Sequence, residues 1–425
     1  MKEINTQNLK GVTDYYGKEQ LVRNKIINTL KETFENYGYL PLDSSILYNY
    51  DILAYKYQDG AEILNEIYTL TDQGNRKLGL RYDLTIPFCK IIANEKDLRL
   101  PFKRYEIGKV FRNGPVKLGR CREFYQCDID VVGIDGTNIE LEQMLLVLNV
   151  FEKLDINIVI KWNNRKLMSS LIKYIGIKEE QIDLVIGTID KLEKLTKDEL
   201  IKEFEKINID SITVEKLLEI FTKDINYYNS LNLEDALYQE AIKEINEIND
   251  NLIKLNLESK TKFTPTLARG LSIYTGTVFE FFDQDKRLTC SLGGGGRYNK
   301  IITDFISDGN VYPAVGLSFG LEPIYTIIKE KYSNENLIDV YIIPMDTELE
   351  CIKLADSLRK NNINVLVELN KRKVKKCFEY ANKENIKYVI VVGSNEIENS
   401  TYTIKNMIDG TQQSMNEKEL LQFLK

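Results

Sequence analysis

Arg104-Tyr-Glu-Ile-Gly-Lys-Val-Phe-Arg112 and, after a short loop, Gly119-Arg-Cys-Arg122-Glu-Phe-Tyr-Gln126-Cys-Asp-Ile-Asp130 are the stretches that decide the fold. Each alternates apolar and polar residues, as half-buried strands do, and the loop between them holds Gly114, Pro115 and Gly119. The pair reads as an antiparallel hairpin in which Arg112 and Gln126 face each other. Asp130 lies two strand repeats beyond Gln126 and shares its face. Further strand patterns occupy 66–71, 77–82 and 157–162, and a helix over 18–37 stops at Gly38. Hairpins and helices without a βαβ rhythm predict an antiparallel sheet in an α+β domain.

Farther along, 163–255 is dense in Lys, Glu, Ile and Leu. Leu237, Ile242, Ile245, Ile248, Leu252 and Ile253 recur at helical spacing. The segment reads either as a helical insertion or as a helical linker between strands. Beyond a polar stretch at 329–336 the pattern changes again. Strands at 340–343, 365–367, 388–392 and 401–407 are separated by helices at 348–360 and 371–383, and a last helix covers 417–424. That alternation predicts a small α/β domain with a mainly parallel sheet. The expected division is a domain over 1–330, carrying the insertion at about 163–255, followed by one over 337–425.

Composition narrows the chemistry. The 425 residues carry a net charge of −7, so a surface coated in basic residues is excluded while a local basic patch is not. No apolar run reaches membrane-spanning length, and the first ten residues lack the apolar core of a signal peptide, so a cytoplasmic protein is expected. The six cysteines form no Cys-x-x-Cys pair, and there is no histidine, so no metal site is expected. With no histidine, the usual general base near neutral pH is missing. The chemistry must run on carboxylates, arginines, backbone dipoles or the substrate itself.

Four constellations could carry it. Arg104, Arg112, Arg120 and Arg122 crowd the hairpin, and a guanidinium beside a loop suits phosphate oxygens. Leu267-Ala-Arg269-Gly270-Leu-Ser-Ile-Tyr274-Thr-Gly276-Thr-Val-Phe-Glu280 places a cation where backbone approaches closely, then runs into a strand. Gly293-Gly-Gly-Gly296-Arg-Tyr298 lets a ligand lie against main chain but has neither the Walker lysine nor the dinucleotide spacing. Pro313-Ala-Val-Gly316-Leu-Ser-Phe-Gly320-Leu-Glu-Pro323 reads as a strand feeding a helix, with Gly316 and Gly320 allowing tight packing against a nucleotide.

In this order, the four stretches resemble the motifs of histidyl-tRNA synthetases. Residues 112–130 resemble the class II motif 2, 267–280 and 293–298 the two histidine motifs, 313–320 motif 3, and Leu80-Arg-Tyr-Asp83-Leu-Thr85 a further histidine-site segment. The tail, including Arg372-Lys-Val-Lys-Lys376, resembles the family's anticodon-binding domain. The resemblance implies a class II antiparallel sheet with flanking helices, a homodimer, and activation of histidine by ATP with Mg2+ before transfer to tRNA(His). It implies that Arg112 and Arg269 flank the ATP α-phosphate, Arg269 in the electrophilic role that other class II enzymes give to a metal. Arg120, Gly316 and Gly320 would also meet ATP. Asp83, Thr85 and Gln126 would bind the amino and carboxylate ends of histidine, Asp130 and Tyr274 its imidazole, and Tyr298 would also meet histidine. The basic run at 371–376 would touch tRNA phosphates or form a solvated helix face.

The likeness has gaps. Gly114 stands where motif 2 commonly has Glu, Pro323 where motif 3 ends in Arg, Ser272-Ile273-Tyr274 where Asp-Tyr-Tyr is common, and Ser45 in place of the motif 1 proline. Lys117 could supply a compensating cation. The competing reading is a paralogue that does not aminoacylate, such as the histidine-sensing regulatory subunit of ATP phosphoribosyltransferase. That subunit usually lacks the C-terminal domain expected here.

Overall fold

The computed structural model describes residues 4–55, 62–95, 97–116, 120–192, 195–269, 273–332 and 336–425. Lys117, Gly119, Gly270 and Ser272 lie outside them. Two units separate, one formed by Met1–Asp14 with Arg23–Ile328, the other by Tyr15–Val22 with Lys329–Lys425.

The first unit holds eleven strands among its described residues: β1 (Leu40–Pro41), β2 (Leu47–Asn49), β3 (Thr69–Thr71), β4 (Lys77–Leu80), β5 (Phe102–Phe111), β6 (Glu123–Val132), β7 (Ile158–Asn164), β8 (Thr261–Phe263), β9 (Thr277–Asp283), β10 (Gly293–Arg297) and β11 (Ala314–Gly320). Eight form one sheet in the order β1-β5-β6-β11-β10-β9-β7-β8. All its pairs are antiparallel except the outermost, β1–β5 and β7–β8. The fold class read from the sequence is therefore the one observed.

Strand periodicity splits the sheet into an apolar face and a polar one. Phe319 on β11 meets Phe34, Phe151 and Phe281 at ring-centroid distances of 5.6, 5.9 and 5.1 Å. Phe34 and Phe151 belong to the helices Gly17–Asn36 and Asn138–Lys153, which cover that side. Deleting a ring so enclosed costs about 3–5 kcal/mol. On the opposite face the even-numbered residues of β6, Gln126, Asp128 and Asp130, project into a cleft.

One expectation is corrected here, and the glycine run takes its place in the sheet. Gln126 pairs with Gly108, whereas the Arg112 amide bonds the carbonyl of Arg122, because the hairpin closes only after Phe111↔Glu123. The glycine run is strand β10 at the sheet centre, flanked by β9 and β11. Its glycines are required by crowding: a Cβ on Gly295 would lie 2.0 Å from the Gly316 carbonyl.

The 163–255 segment forms helices Arg165–Tyr174, Ile182–Ile189, Lys197–Lys206, Ser211–Ile220, Ile225–Ser230 and Ala236–Lys254 between β7 and β8. Asn164, Thr196, Asp210, Asp224 and Asp235 cap five of them by accepting backbone N–H bonds. Each cap stabilises its helix by ~1 kcal/mol. Ile245, Ile248 and Leu252 are buried as the spacing requires, whereas Leu237 and Ile253 are exposed.

The second unit has β12 (Val340–Pro344), β13 (Val365–Val367), β14 (Tyr388–Val392), β15 (Tyr402–Asn406) and β16 (Gln412–Met415) in the order β13-β12-β14-β15-β16. The first three are parallel and the last two antiparallel. Alternation along β12 buries Val340 and Ile342 against helix Glu348–Arg359, and Tyr341 and Ile343 against helix Val374–Lys383. The sequence reading missed β16 and the helix Ser394–Asn399, both too short to show a period. Within the basic run, Arg372 is tied to the buried Glu368 carboxylate at 2.7 Å and lies over the Tyr380 ring, while Lys373, Lys375 and Lys376 are exposed.

On the helix-covered face, Arg297 makes two bonds to the Glu140 carboxylate of helix Asn138–Lys153, at 2.8 and 2.9 Å, and both side chains are at least 94% buried. Glu140→Ala strands that guanidinium in a low-dielectric interior. The expected loss is about 3–5 kcal/mol of unfolding free energy, read from urea midpoints. A loss below about 1 kcal/mol would show that Arg297 finds water instead.

Candidate active site

Two connected cavities open on the polar face. The larger, 460 Å³, is bounded by Glu66, Arg112, Gly114, Pro115, Arg120, Phe124, Gly320, Glu322 and Pro323. The smaller, 190 Å³, is bounded by Tyr82, Asp83, Thr85, Asp128, Asp130, Tyr274, Tyr298 and Gly316. Arg112, Gln126, Arg269, Gly294 and Ser318 line both and form the wall between them.

Each of these side chains is placed by strand ends and by buried polar ties. Arg112 leaves the end of β5, donates to the Tyr82 carbonyl at 3.0 Å and lies over the Phe124 ring. Tyr82 and Asp83 are held because neighbouring Arg81 is locked to Glu106 at 2.7 Å, to Ser44 and to the Lys109 carbonyl. Asp83 accepts the Ile86 amide at 3.1 Å and so fixes the start of helix Thr85–Asn94. Arg269 rests over the Tyr274 ring, 3.6 Å from Glu280. It occupies the space that Gly294 leaves open: a Cβ there would be 2.3 Å from its Nη1.

The floor of the smaller cavity is charged. Asp130 is 4% exposed, with Arg104 at 2.5 Å on Oδ2 and the Tyr298 hydroxyl donating to Oδ1. Burial pushes the Asp130 carboxyl up, while Arg104 and Tyr298 pull it back. Burial, then Asp130, push the Tyr298 hydroxyl well above its ordinary range, so it stays a donor. Gln126 donates to the Ser318 hydroxyl at 3.3 Å, and its own oxygen has no partner among the described residues.

Every residue expected at the site lines one cavity or both. Gly316, expected against a nucleotide, instead lines the smaller cavity beneath Asp130. At the departures from the family pattern, a Cβ on Gly114 would lie 2.7 Å from Glu66 Oε1, so a carboxylate reaches that space from another segment. Pro323 packs on Gly320, and neighbouring Glu322 accepts from the buried Arg23 at 2.9 Å. The sequence reading missed Asp128, Ser318 and Glu66, and left Arg104 as one hairpin arginine among several. Asp128 could have been found from the alternation that placed Gln126 and Asp130.

The profile of the family described as Histidyl-tRNA synthetase matches residues 11–324. The chain belongs to the histidyl-tRNA synthetase family. An anticodon binding domain profile matches residues 339–425. A Bacillus cereus relative named Histidine--tRNA ligase 1 is 44% identical, covering 98% of this chain and 99% of its own. The Histidine--tRNA ligase of Finegoldia magna is 31% identical over 99% of this chain and 100% of its own. A crystal structure of histidyl-tRNA synthetase from Nostoc sp. superposes with a TM-score of 0.86 at 26% identity, covering 99% of each chain. In this chain the two cavities lie where sheet, hairpin loop and glycine strand converge.

Gly316→Ala tests the floor. An alanine Cβ would stand 1.9 Å from Asp130 Oδ1, so the carboxylate must move. The KM for the amino acid should rise at least about tenfold, the worth of one charged hydrogen bond, with the KM for ATP unchanged. Equal changes in both constants would place the damage in the fold.

Proposed function

We infer that this chain activates histidine with ATP and transfers it to tRNA(His), acting as a cytoplasmic homodimer with Mg2+ arriving as part of the ATP substrate complex. The observation that carries the reading is the shared wall: Arg112 and Arg269 border both cavities, one acidic and the other flanked by arginine and glycine. Histidine in the smaller cavity would place its carboxylate at that wall, opposite the α-phosphate of ATP in the larger.

The carboxylate is already a nucleophile. Its oxygen bonds to the α-phosphorus as the bond to the leaving pyrophosphate breaks, and no proton is removed. A chain without histidine loses nothing by this chemistry. Catalysis reduces to positioning and to neutralising phosphoryl charge, which Arg112 and Arg269 supply, with Arg120 near the phosphates. Asp83, Thr85 and Gln126 receive the amino and carboxylate ends. Asp130, Tyr274 and Tyr298 receive the imidazole, and Gly320 borders the nucleotide. A pocket whose buried polar groups are satisfied only by the right ligand discriminates strongly. Residues 1–330 act as the catalytic domain, and 337–425 contact the anticodon arm. The regulatory-subunit reading is not favoured, since full-length relatives at 44% identity are named as ligases.

Histidine-dependent ATP–pyrophosphate exchange tests the reading. Exchange should require histidine among the amino acids, and Arg269→Ala should cut kcat by about 10²–10³. A folded protein that binds histidine yet shows no exchange would return the regulatory reading to first place.

A further inference from the structure

Strand β6 turns Gln126, Asp128 and Asp130 toward the smaller cavity. The oxygens of Asp130 are already engaged, by Arg104 on one side and Tyr298 on the other. Asp128 differs. Its side chain is 4% exposed, it lines the same cavity, and its Oδ1 has no hydrogen-bond partner among the described residues. A buried acceptor left unpaired is costly, so native proteins keep few of them without a functional reason. An oxygen of this kind, facing a cavity, is suited to a donor that arrives with a ligand.

We propose that Asp128 is a second specificity-determining carboxyl for the amino-acid substrate, accepting one ring N–H of the imidazole while Asp130 faces the other, so that the ring is held as an imidazolium between them. This rests on the histidine reading of the cavity. Two residues along a strand separate the two carboxyl stems by about 7 Å. An imidazolium presents two N–H bonds that diverge from one ring, each making a hydrogen bond of about 2.8 Å, and so spans a gap of that size. Neutral aromatic amino acids offer no such pair of donors and would leave the Asp128 carboxyl unsatisfied.

The groups facing Asp128 are Arg104 and Glu106 on β5, Asp130 on its own strand, Ser318 on β11, Asp83 before helix Thr85–Asn94, and Arg269 across the cavity. Burial pushes the Asp128 carboxyl up to about 7, opposed by Arg104 and the Ser318 hydrogen bond and reinforced by Asp130 and Asp83. An imidazole titrates near the same pH, about 6.5. A neutral ring takes the proton from the Asp128 hydroxyl, or an imidazolium meets the carboxylate. Both routes end with the proton on the ring and the charge on Asp128. Above about pH 7 neither partner brings the proton, and it must come from solvent.

The test is the pH dependence of the histidine KM in pyrophosphate exchange, for the full chain and for Asp128→Asn. In the unmodified protein KM should climb from about pH 7 to about pH 8.5. Asp128→Asn should raise the histidine KM roughly ten- to a hundredfold near pH 7, flatten that climb and leave the KM for ATP unchanged. Asp128→Ser, which also removes the carboxyl, should flatten the profile in the same way. An Asp128→Asn profile parallel to the original, or an equal rise in the KM for ATP, overturns the proposal while leaving the ligase reading intact. Absence of histidine-dependent exchange in the unmodified protein overturns both.

Discussion

The guanidinium of Arg104 is the charge on which the site depends. It is fully buried, lies 2.5 Å from Asp130 and 3.6 Å from Glu106, donates to the Leu84 carbonyl and stacks on Phe88. Three buried carboxyls, Glu106, Asp128 and Asp130, thereby gather around one buried cation. Arg81 completes the arrangement through Glu106 and carries the Tyr82–Asp83 segment into place. The acidic floor and Arg112 of the shared wall, which donates to the Tyr82 carbonyl, thus belong to one network rather than to separate patches.

The glycines are the counterpart of that network. Gly294 leaves room for Arg269, and Gly316 for the Asp130 carboxylate. In both places backbone stands where a side chain would ordinarily be, and a functional group from another segment fills the gap. The pairing of Arg269 with Gly294 and of Asp130 with Gly316 joins all four sequence constellations into one site.

The sequence made much of this legible, for reasons that differ by element. The ten-residue strands β5 and β6 are long enough for alternation to show, and the capped helices of 165–254 long enough for the 3.6-residue period. Register was not legible: opposing Arg112 to Gln126 misses the observed Gly108↔Gln126 pairing by four residues, since periodicity fixes which face a residue takes but not where a hairpin closes. The glycine run hid a strand, because glycine carries no strand propensity and its pairing is set by neighbours distant in sequence. Arg104 read as one arginine among several. Nothing local reveals that it is buried.

The wall shared by the two cavities has one more consequence. With histidine and ATP in the two cavities as proposed, a molecule reaching across Arg112 and Arg269 would hold an imidazole-bearing arm and a nucleoside arm at once, and docking either arm would place the other at millimolar effective concentration. Such a tethered inhibitor gains affinity from connection alone, without any new contact. The separation of the cavities, not the tightness of either, would set the best length of its linker.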